Sequence, residues 1–345
     1  MSSKIGYIGH FNRENAFDGQ TIKTIEILEC LYDEFGRKNI VEFSYHAAKN
    51  SKVKLLSGIL GVFSKCKKVI IIANATSVKS LLKVCTKINR LYKRELHFIL
   101  VGGALPQTLE ADPGCGKILK QFSGIYVETD ILKRDTEKFG LDNVYILVNF
   151  KKIKKYTKEE IPTEFEKPYK LIFMSRITEI KGVCETYEAL RRINAEKVKY
   201  TLDLYGMIDD AFAQKFDELQ KDSPEYIKYH GVCSPSKVSE IMHGYFLHIL
   251  PTTCATEGQP ASVIDGYFAG LPILCGRWNS CGEMVPEGKT GVSFELGNFD
   301  DFCDKLNRFY EHPELLTSMR ENCIDEAEKF SPEGAMKELI LQLKK

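Results

Sequence analysis

The chain has 345 residues and a formal net charge of +1, and 43% of its residues are apolar while 28% are charged. This length is large for one hydrophobic core and predicts two domains. The composition excludes a fibrous or intrinsically disordered chain, and no apolar run approaches the roughly 20 residues that a membrane span needs.

The cysteines and the charges indicate the cellular setting. The 11 cysteines are an odd number, form no C-x-x-C pair and have no histidine spacing typical of zinc sites. No apolar signal sequence follows Met1, so we expect reduced thiols in a cytoplasmic protein. The first 150 residues are net basic and the rest net acidic, so the halves should face different partners or each other.

The first half alternates short apolar runs with helical patterns, which predicts a βαβα order and a mostly parallel sheet over residues 1–150. The predicted strands are Ile5–Ile8, Val41–Ser44, Val69–Ala73, His97–Val101, Gly124–Val127 and Val144–Val148. His10 ends the first strand and His46 follows the second, so each could face a ligand or serve as an ordinary structural histidine.

A basic helix is predicted over residues 77–95, with Lys83, Lys87 and Arg90 outside its apolar side. Residues 51–94 contain eleven Lys or Arg and no Asp or Glu. Such a helix can lie against anionic lipid headgroups, or it can pack on the core with a solvated basic face. The absence of acids favours an anionic membrane surface as a partner.

Residues 151–168 are polar, rich in Lys and Glu and interrupted by Pro162, which is typical of a linker. The alternation then restarts over residues 169–330 and predicts a second doubly wound sheet. Its predicted strands are Leu171–Met174, Tyr200–Tyr205, Phe246–Pro251, Pro272–Cys275 and Gly291–Phe294. Residues 331–345 form a predicted C-terminal helix that can cross back to the first domain. Because open parallel sheets bind ligands beyond the carboxyl ends of their strands, we expect the active site in a cleft between two facing domains.

The loop Ser175–Gly182 joins a predicted strand to a predicted helix and carries Arg176 and Lys181. Two fixed cations beside a helix N-terminus suit a diphosphate. The alternative is a pair of solvated cations in an ordinary connecting loop.

The segment Thr256–Pro272 places Glu257, Gly258 and Gln259 between a predicted strand and a helix that starts at Pro260. A carboxylate there can accept hydrogen bonds from sugar hydroxyls, and Asp265 can reach a ribose diol if it faces the ligand. The alternatives are that Glu257 is a helix N-terminal acid and that Asp265 is a solvated helix residue.

The two acids with seven residues between them, joined to the Arg-x4-Lys loop, resemble the signature of retaining glycosyltransferases with the GT-B fold, of the family-four type. In this family the Arg and Lys hold the donor diphosphate, the first acid contacts the donor sugar and the second acid holds the ribose. The resemblance covers about residues 171–330 and implies these roles for Arg176, Lys181, Glu257 and Asp265. It also implies donor contacts by Gly206, Gly231, Val232, Gly258, Gln259, Pro260, Ser262, Val263 and Asp265. The chain departs from the family at two positions. Asp265 stands where the family usually has Glu, and Gln259 stands where an aromatic residue is frequent.

The first half resembles the family through the loop Asn15–Thr21. In the family a Gly-rich loop after the first strand approaches the donor phosphates, and Gly19 and Gln20 match it here. The alternative is that Asp18 caps a helix with a glycine beside it. The histidine or acid that many relatives carry on the N-terminal domain is missing from Val101–Pro106.

Other chemistries lack their motifs. The sequence contains no G-x-x-x-x-G-K-[ST] phosphate loop, no complete dinucleotide fingerprint and no Asp-x-Asp pair for a metal beside a diphosphate. We therefore expect no metal and no cofactor, and no nucleic-acid partner.

The resemblance implies metal-independent transfer of a hexose, with retention, from a nucleoside-diphosphate sugar to a saccharide acceptor that can be lipid-linked. We expect an enzyme of surface or capsular polysaccharide assembly. Because the first half of the chain is basic, we expect it to act at the cytoplasmic face of the membrane. Two alternatives remain: a sugar-nucleotide epimerase of the same fold and a non-catalytic partner subunit.

Overall fold

The computed structural model describes residues 4–12, 19–48 and 51–345. Asn15–Asp18, part of the loop matched to the Gly-rich phosphate loop, lies outside these residues. The chain forms two compact units, and each has one parallel six-stranded sheet. The first unit comprises residues 1–150, 256–259 and 332–345, and the second comprises residues 151–255 and 260–331.

The first sheet has the strand order β2-β1-β3-β4-β5-β6. Its strands are β1 (Ile5–Gly9), β2 (Ile40–Ser44), β3 (Lys68–Asn74), β4 (Glu95–Val101), β5 (Gly124–Val127) and β6 (Val144–Ile146). The helices of this unit are α1 (Gly19–Phe35), α2 (Lys52–Lys65), α3 (Leu81–Tyr92), α4 (Leu105–Ala111), α5 (Gly114–Leu119), α6 (Asp130–Glu137) and, from the chain's end, α14 (Pro332–Lys344).

Both faces of the first sheet are covered, as alternate residues of β3 show. Val69 and Ile71 join a core with α2 and α3, while Ile70 and Ile72 join a core with α1 and α14. Since successive side chains of a strand point to opposite faces, the uninterrupted apolar sequence of β3 gives a strand buried on both sides.

The second sheet has the strand order β12-β11-β10-β7-β8-β9. Its strands are β7 (Tyr169–Met174), β8 (Tyr200–Tyr205), β9 (Ile227–Tyr229), β10 (Leu247–Leu250), β11 (Ile273–Gly276) and β12 (Gly291–Phe294). Its helices are α7 (Val183–Ile193), α8 (Ala213–Lys221), α9 (Val238–His243), α10 (Ala261–Phe268), α11 (Cys281–Met284), α12 (Phe299–Glu311) and α13 (Leu315–Ala327). The sequence predicted five of these six strands and missed β9, which has three residues and pairs with β8 at the sheet edge.

Residues 151–168 cluster with the second unit and are anchored to it by Tyr156. The Tyr156 ring stacks on His243 with 3.7 Å between the centroids, and the Tyr156 N–H donates to the Phe268 carbonyl (2.9 Å). Among the described residues no helix has the length and apolar character to cross a bilayer.

Candidate functional site

The second sheet reverses its strand order beside β7. From β7 the chain adds β8 and β9 on one side, and it then adds β10, β11 and β12 on the other. In open α/β sheets, ligands bind beyond the carboxyl ends of the two strands at such a point. The loops that follow β7 and β10 are therefore where this unit is expected to bind a ligand.

These two loops are hydrogen-bonded to each other. The Ile180 carbonyl accepts from the Thr253 N–H (2.9 Å) and from the Thr252 hydroxyl (3.2 Å). Lys181 ends the 3-10 turn Glu179–Lys181 in the same loop. The Arg176 side chain is 51% exposed, with its Nη1 atom 3.8 Å from Asp209 Oδ2. Both predicted diphosphate-binding cations thus lie at the switch point.

Gly206 brings the ends of the neighbouring strands close together. Its N–H donates to the Gly231 carbonyl (2.9 Å), and a Cβ atom on Gly206 would lie only 1.8 Å from the Ser175 carbonyl oxygen. The φ of Gly206 is 147°, a region that side chains rarely adopt. The predicted donor residues Gly206, Gly231 and the exposed Val232 therefore follow strands that end beside the Arg176 loop.

Helix α10 starts after Pro260, the residue where the sequence placed its beginning. The Val263 N–H donates to the Pro260 carbonyl (3.0 Å). The side chains of Ser262 and Val263 are buried. A donor contact by these two residues would thus use the backbone at the helix N-terminus, whose N–H groups favour anions.

Asp265 is buried inside the second unit, with 5% of its surface exposed. Lys151, itself 6% exposed, places its Nζ atom 3.2 Å from Asp265 Oδ1. Burial raises the pKa of Asp265 above its usual value, and the Lys151 charge opposes that rise. The predicted ribose contact requires this enclosed carboxylate to become accessible.

Glu257, Gly258 and Gln259 belong to the first unit. Gly258 and Gln259 are buried there, while Glu257 is half-buried. In the same unit Gly19 begins α1, and the side-chain amide of Gln20 lies 3.5 Å from the Tyr45 hydroxyl oxygen.

His10 and His46 are paired, with His46 Nδ1 3.1 Å from His10 Nε2. Because the two nitrogens share a contact, one must donate and the other accept. Within the described ranges, no group of three or more His, Cys, Asp or Glu side chains is arranged to hold a metal ion.

The sequence interpretation missed four polar residues that hold the predicted site residues. Lys151 pairs with Asp265, while Lys23, Glu128 and Asn149 form a buried network around Gln259. Glu128 and Asn149 each follow a predicted strand, and this position after a strand could have marked them as candidate site residues. Lys23 lies within a helix, where its position gives no such signal.

A family model described as "Glycosyl transferases group 1" matches residues 154–330, just over half of the chain. A curated relative, the putative colanic acid biosynthesis glycosyltransferase WcaL of Salmonella typhimurium, is 23% identical over 130 residues, which are 36% of this chain and 32% of WcaL. The chain covers less than half the length of each curated relative that it matches.

Solved structures of HepE and of WaaB each cover 99% of this chain and 99% of their own chain. The Anabaena protein HepE, in complex with UDP and glucose, has a TM-score of 0.74 at 13% identity. The lipopolysaccharide outer core galactosyltransferase WaaB, in its apo form, has a TM-score of 0.70 at 15% identity. These likenesses confirm the predicted α/β architecture with two parallel sheets, the GT-B fold.

Proposed function

Since the chain belongs to the group 1 family of glycosyl transferases, we propose that it transfers a hexose from a nucleoside-diphosphate sugar to a saccharide acceptor. Transfer proceeds with retention at the anomeric carbon and without a metal ion. The observation that carries the proposal is the hydrogen-bonded pair of loops at the switch point of the second sheet, which holds Arg176 and Lys181 at the carboxyl end of β7.

In such a reaction the diphosphate is the leaving group. Negative charge grows on its oxygens as the glycosidic C–O bond breaks. Arg176 and Lys181 are positioned to bind these oxygens, and the N-terminus of α10 adds a partial positive charge. These groups interact more strongly with the transition state than with the bound donor, so they lower the barrier.

The remaining donor contacts rest on the family resemblance. Glu257 accepts hydrogen bonds from the donor sugar, Asp265 binds the ribose, and Gly231 and Val232 contact the donor. The UDP and glucose bound to HepE support a donor of this chemical class. By the same resemblance, Gly19 and Gln20 at the start of α1 contact the donor phosphates.

The acceptor is a lipid-linked saccharide, and the pathway is assembly of a surface polysaccharide. Support comes from two similar proteins, a putative glycosyltransferase of colanic acid biosynthesis and a galactosyltransferase of the lipopolysaccharide outer core.

The face formed by α2 and α3 binds anionic lipid at the inner side of the cell membrane. These two helices pack against each other and carry five exposed large apolar side chains, with exposures from 36% to 81%: Val53, Leu56, Leu60, Val84 and Leu91. Exposed basic residues surround them, and residues 51–94 contain no acid. Apolar side chains among basic ones are typical of helices that lie in a headgroup layer.

The proposal is tested by thermal-shift screening against UDP-, GDP-, ADP- and TDP-sugars, followed by assays of nucleoside-diphosphate release with and without acceptor. A ligand at 100 times its dissociation constant stabilises the folded state by about 2.7 kcal/mol, so a bound donor raises the melting temperature. We expect one donor to bind and to release its nucleoside diphosphate faster when acceptor is present, and EDTA to leave that rate unchanged. Conversion of the donor alone into an isomer would indicate an epimerase, and binding without turnover a non-catalytic subunit.

A further inference from the structure

Residues 256–259 belong to the first unit, although the residues on both sides of them belong to the second. Asn149, which follows β6, holds this segment through Gln259. The Asn149 N–H donates to Gln259 Oε1 (2.7 Å), and the Asn149 side-chain amide donates to the Gln259 carbonyl (2.6 Å). Gln259 is thus fixed at both its side chain and its backbone.

A buried ion pair lies beneath the same residue. Glu128 Oε2 accepts from the Gln259 N–H (2.8 Å), and Glu128 Oε1 lies 2.5 Å from Lys23 Nζ. Glu128 is 2% exposed and Lys23 is 6% exposed. Lys23 Nζ also lies 3.4 Å from the Leu100 carbonyl oxygen. The carboxylate therefore has a cation on one oxygen and the segment's backbone on the other.

The segment approaches the end of the first sheet so closely that side chains are excluded. A Cβ atom on Gly258 would lie 2.1 Å from Glu128 Oε2, and one on Gly103 would lie 2.7 Å from the Thr256 carbonyl oxygen. Real Cβ atoms do not come this near to other atoms. The position of Glu257, between Thr256 and Gly258, is thereby set by the packing of its two neighbours.

We propose that Lys23 and Glu128 are positioning residues for the contact between Glu257 and the donor sugar. This inference rests on the proposed function. Glu128 fixes the peptide group of Gln259, two residues after Glu257, and Lys23 fixes Glu128. Because a displacement of about 1 Å can cost a hundredfold in rate, a buried network that orients the Glu257 backbone affects recognition of the sugar without touching it.

The carboxylate is needed because Glu128 accepts hydrogen bonds on both oxygens. A glutamine has one acceptor and one donor group, so in Glu128→Gln an NH2 group must face either Lys23 or the Gln259 N–H. One of the two contacts is then lost. A hydrogen bond to a charged group is stronger than one between neutral groups, so this loss is enough to release the segment.

The test compares dissociation constants for the sugar nucleotide selected by the donor screen and for its nucleoside diphosphate alone, measured by calorimetry well below the melting temperature. In Glu128→Gln we expect affinity for the sugar nucleotide to fall by about tenfold or more, as loss of one such hydrogen bond allows. Affinity for the nucleoside diphosphate should stay within twofold, so the ratio of the two constants changes. A merely structural role would weaken both together.

Glu95→Gln is the matched control, because Glu95 pairs with Lys68 (3.1 Å) at the opposite end of the same sheet. It should leave the ratio unchanged. Asn149→Ala removes the side-chain hydrogen bond to the Gln259 carbonyl without stranding a buried charge, so it gives the same readout if Glu128→Gln does not fold. An unchanged ratio in both variants overturns the positioning role. If wild-type protein binds no sugar nucleotide, the proposed function fails, and this inference falls with it.

Discussion

Lys151 and Asp265 form an ion pair that is almost fully enclosed in the second unit, with 3.2 Å between Nζ and Oδ1. Lys151 is the first residue of that unit, and its N–H donates to the Phe330 carbonyl near the unit's other end (3.1 Å). Asp265, which matches the ribose-binding acid of the family, therefore also neutralises the charge of a buried lysine.

We expect Lys151→Met to lower the free energy of unfolding by about 3–5 kcal/mol, because it leaves a buried carboxylate without its cation. Lys151→Met with Asp265→Leu should recover most of that loss, since apolar residues of similar volume can replace a buried pair. Lys154→Met is the control, because Lys154 forms an exposed pair with Glu160, and exposed pairs contribute little to stability. Urea unfolding measures all three, and equal losses in the two single variants would contradict the structural role of the pair.

Arg176→Ala and Lys181→Ala should each lower kcat by roughly 10²–10³, because each removes one group that stabilises charge in the transition state. Their melting temperatures should remain near wild type. Arg192→Ala is the matched control, since Arg192 is an exposed arginine of the same unit that pairs with Asp300. Wild-type turnover in both site variants would eliminate these residues as the diphosphate-binding cations.

His248 makes folding stability depend on pH. It is fully buried on β10, neither ring nitrogen has a hydrogen-bond partner among the described residues, and burial lowers its pKa from 6.5 to about 3. Between pH 6.5 and pH 3 the unfolded chain binds a proton at His248 that the folded chain does not. The free energy of unfolding is therefore unaffected by His248 above pH 6.5, and below it falls by about 1.4 kcal/mol per pH unit.

The slope of unfolding free energy against pH measures how many more protons the unfolded chain binds than the folded chain. Replacing His248 by Phe should reduce that number by about one between pH 6 and pH 4. His312→Phe, at an exposed position, is the control substitution. Urea unfolding at several pH values gives the slopes. The same slope in wild type and His248→Phe would show that this histidine is not kept neutral by burial.

The α2–α3 face should bind anionic vesicles in a salt-sensitive manner, because each Lys or Arg near a charged surface contributes about 1 kcal/mol within a Debye length. Changing Lys83, Lys87 and Arg90 together to Glu should abolish sedimentation with such vesicles while transfer to a short soluble acceptor persists. The same charge change at Lys197, Lys221 and Lys228, exposed residues of the second unit, is the control. A wild-type protein that ignores anionic vesicles at low salt would refute membrane binding by this face.

The sequence predicted three strands with the bounds that the structure gives them. β5, β8 and β12 each bury apolar residues at successive or alternate positions, so the pattern marks both ends of each strand. β9 was missed because it has three residues, the middle one being the exposed Lys228, so it shows no apolar pattern.

The candidate site could be predicted only where local motifs carry it. Arg176 lies two residues after the end of β7, and Lys181 lies in the 3-10 turn of the same loop, so their placement followed from local order. The pairs Lys23–Glu128 and Lys151–Asp265 join residues 105 and 114 positions apart, and no spacing rule links such partners. Polar groups that meet only in the folded chain are the part that sequence reasoning cannot supply.

The most direct test of the central claim is mass spectrometry of acceptor saccharides after incubation with the sugar nucleotide that binds most tightly. We predict that wild-type protein adds one hexose to a lipid-linked saccharide and releases one nucleoside diphosphate for each hexose transferred, and that Arg176→Ala does so at a small fraction of that rate. Tight binding of the donor with no hexose transferred to any extracted acceptor, and no nucleoside diphosphate released, would contradict the claim that this chain is a hexosyltransferase.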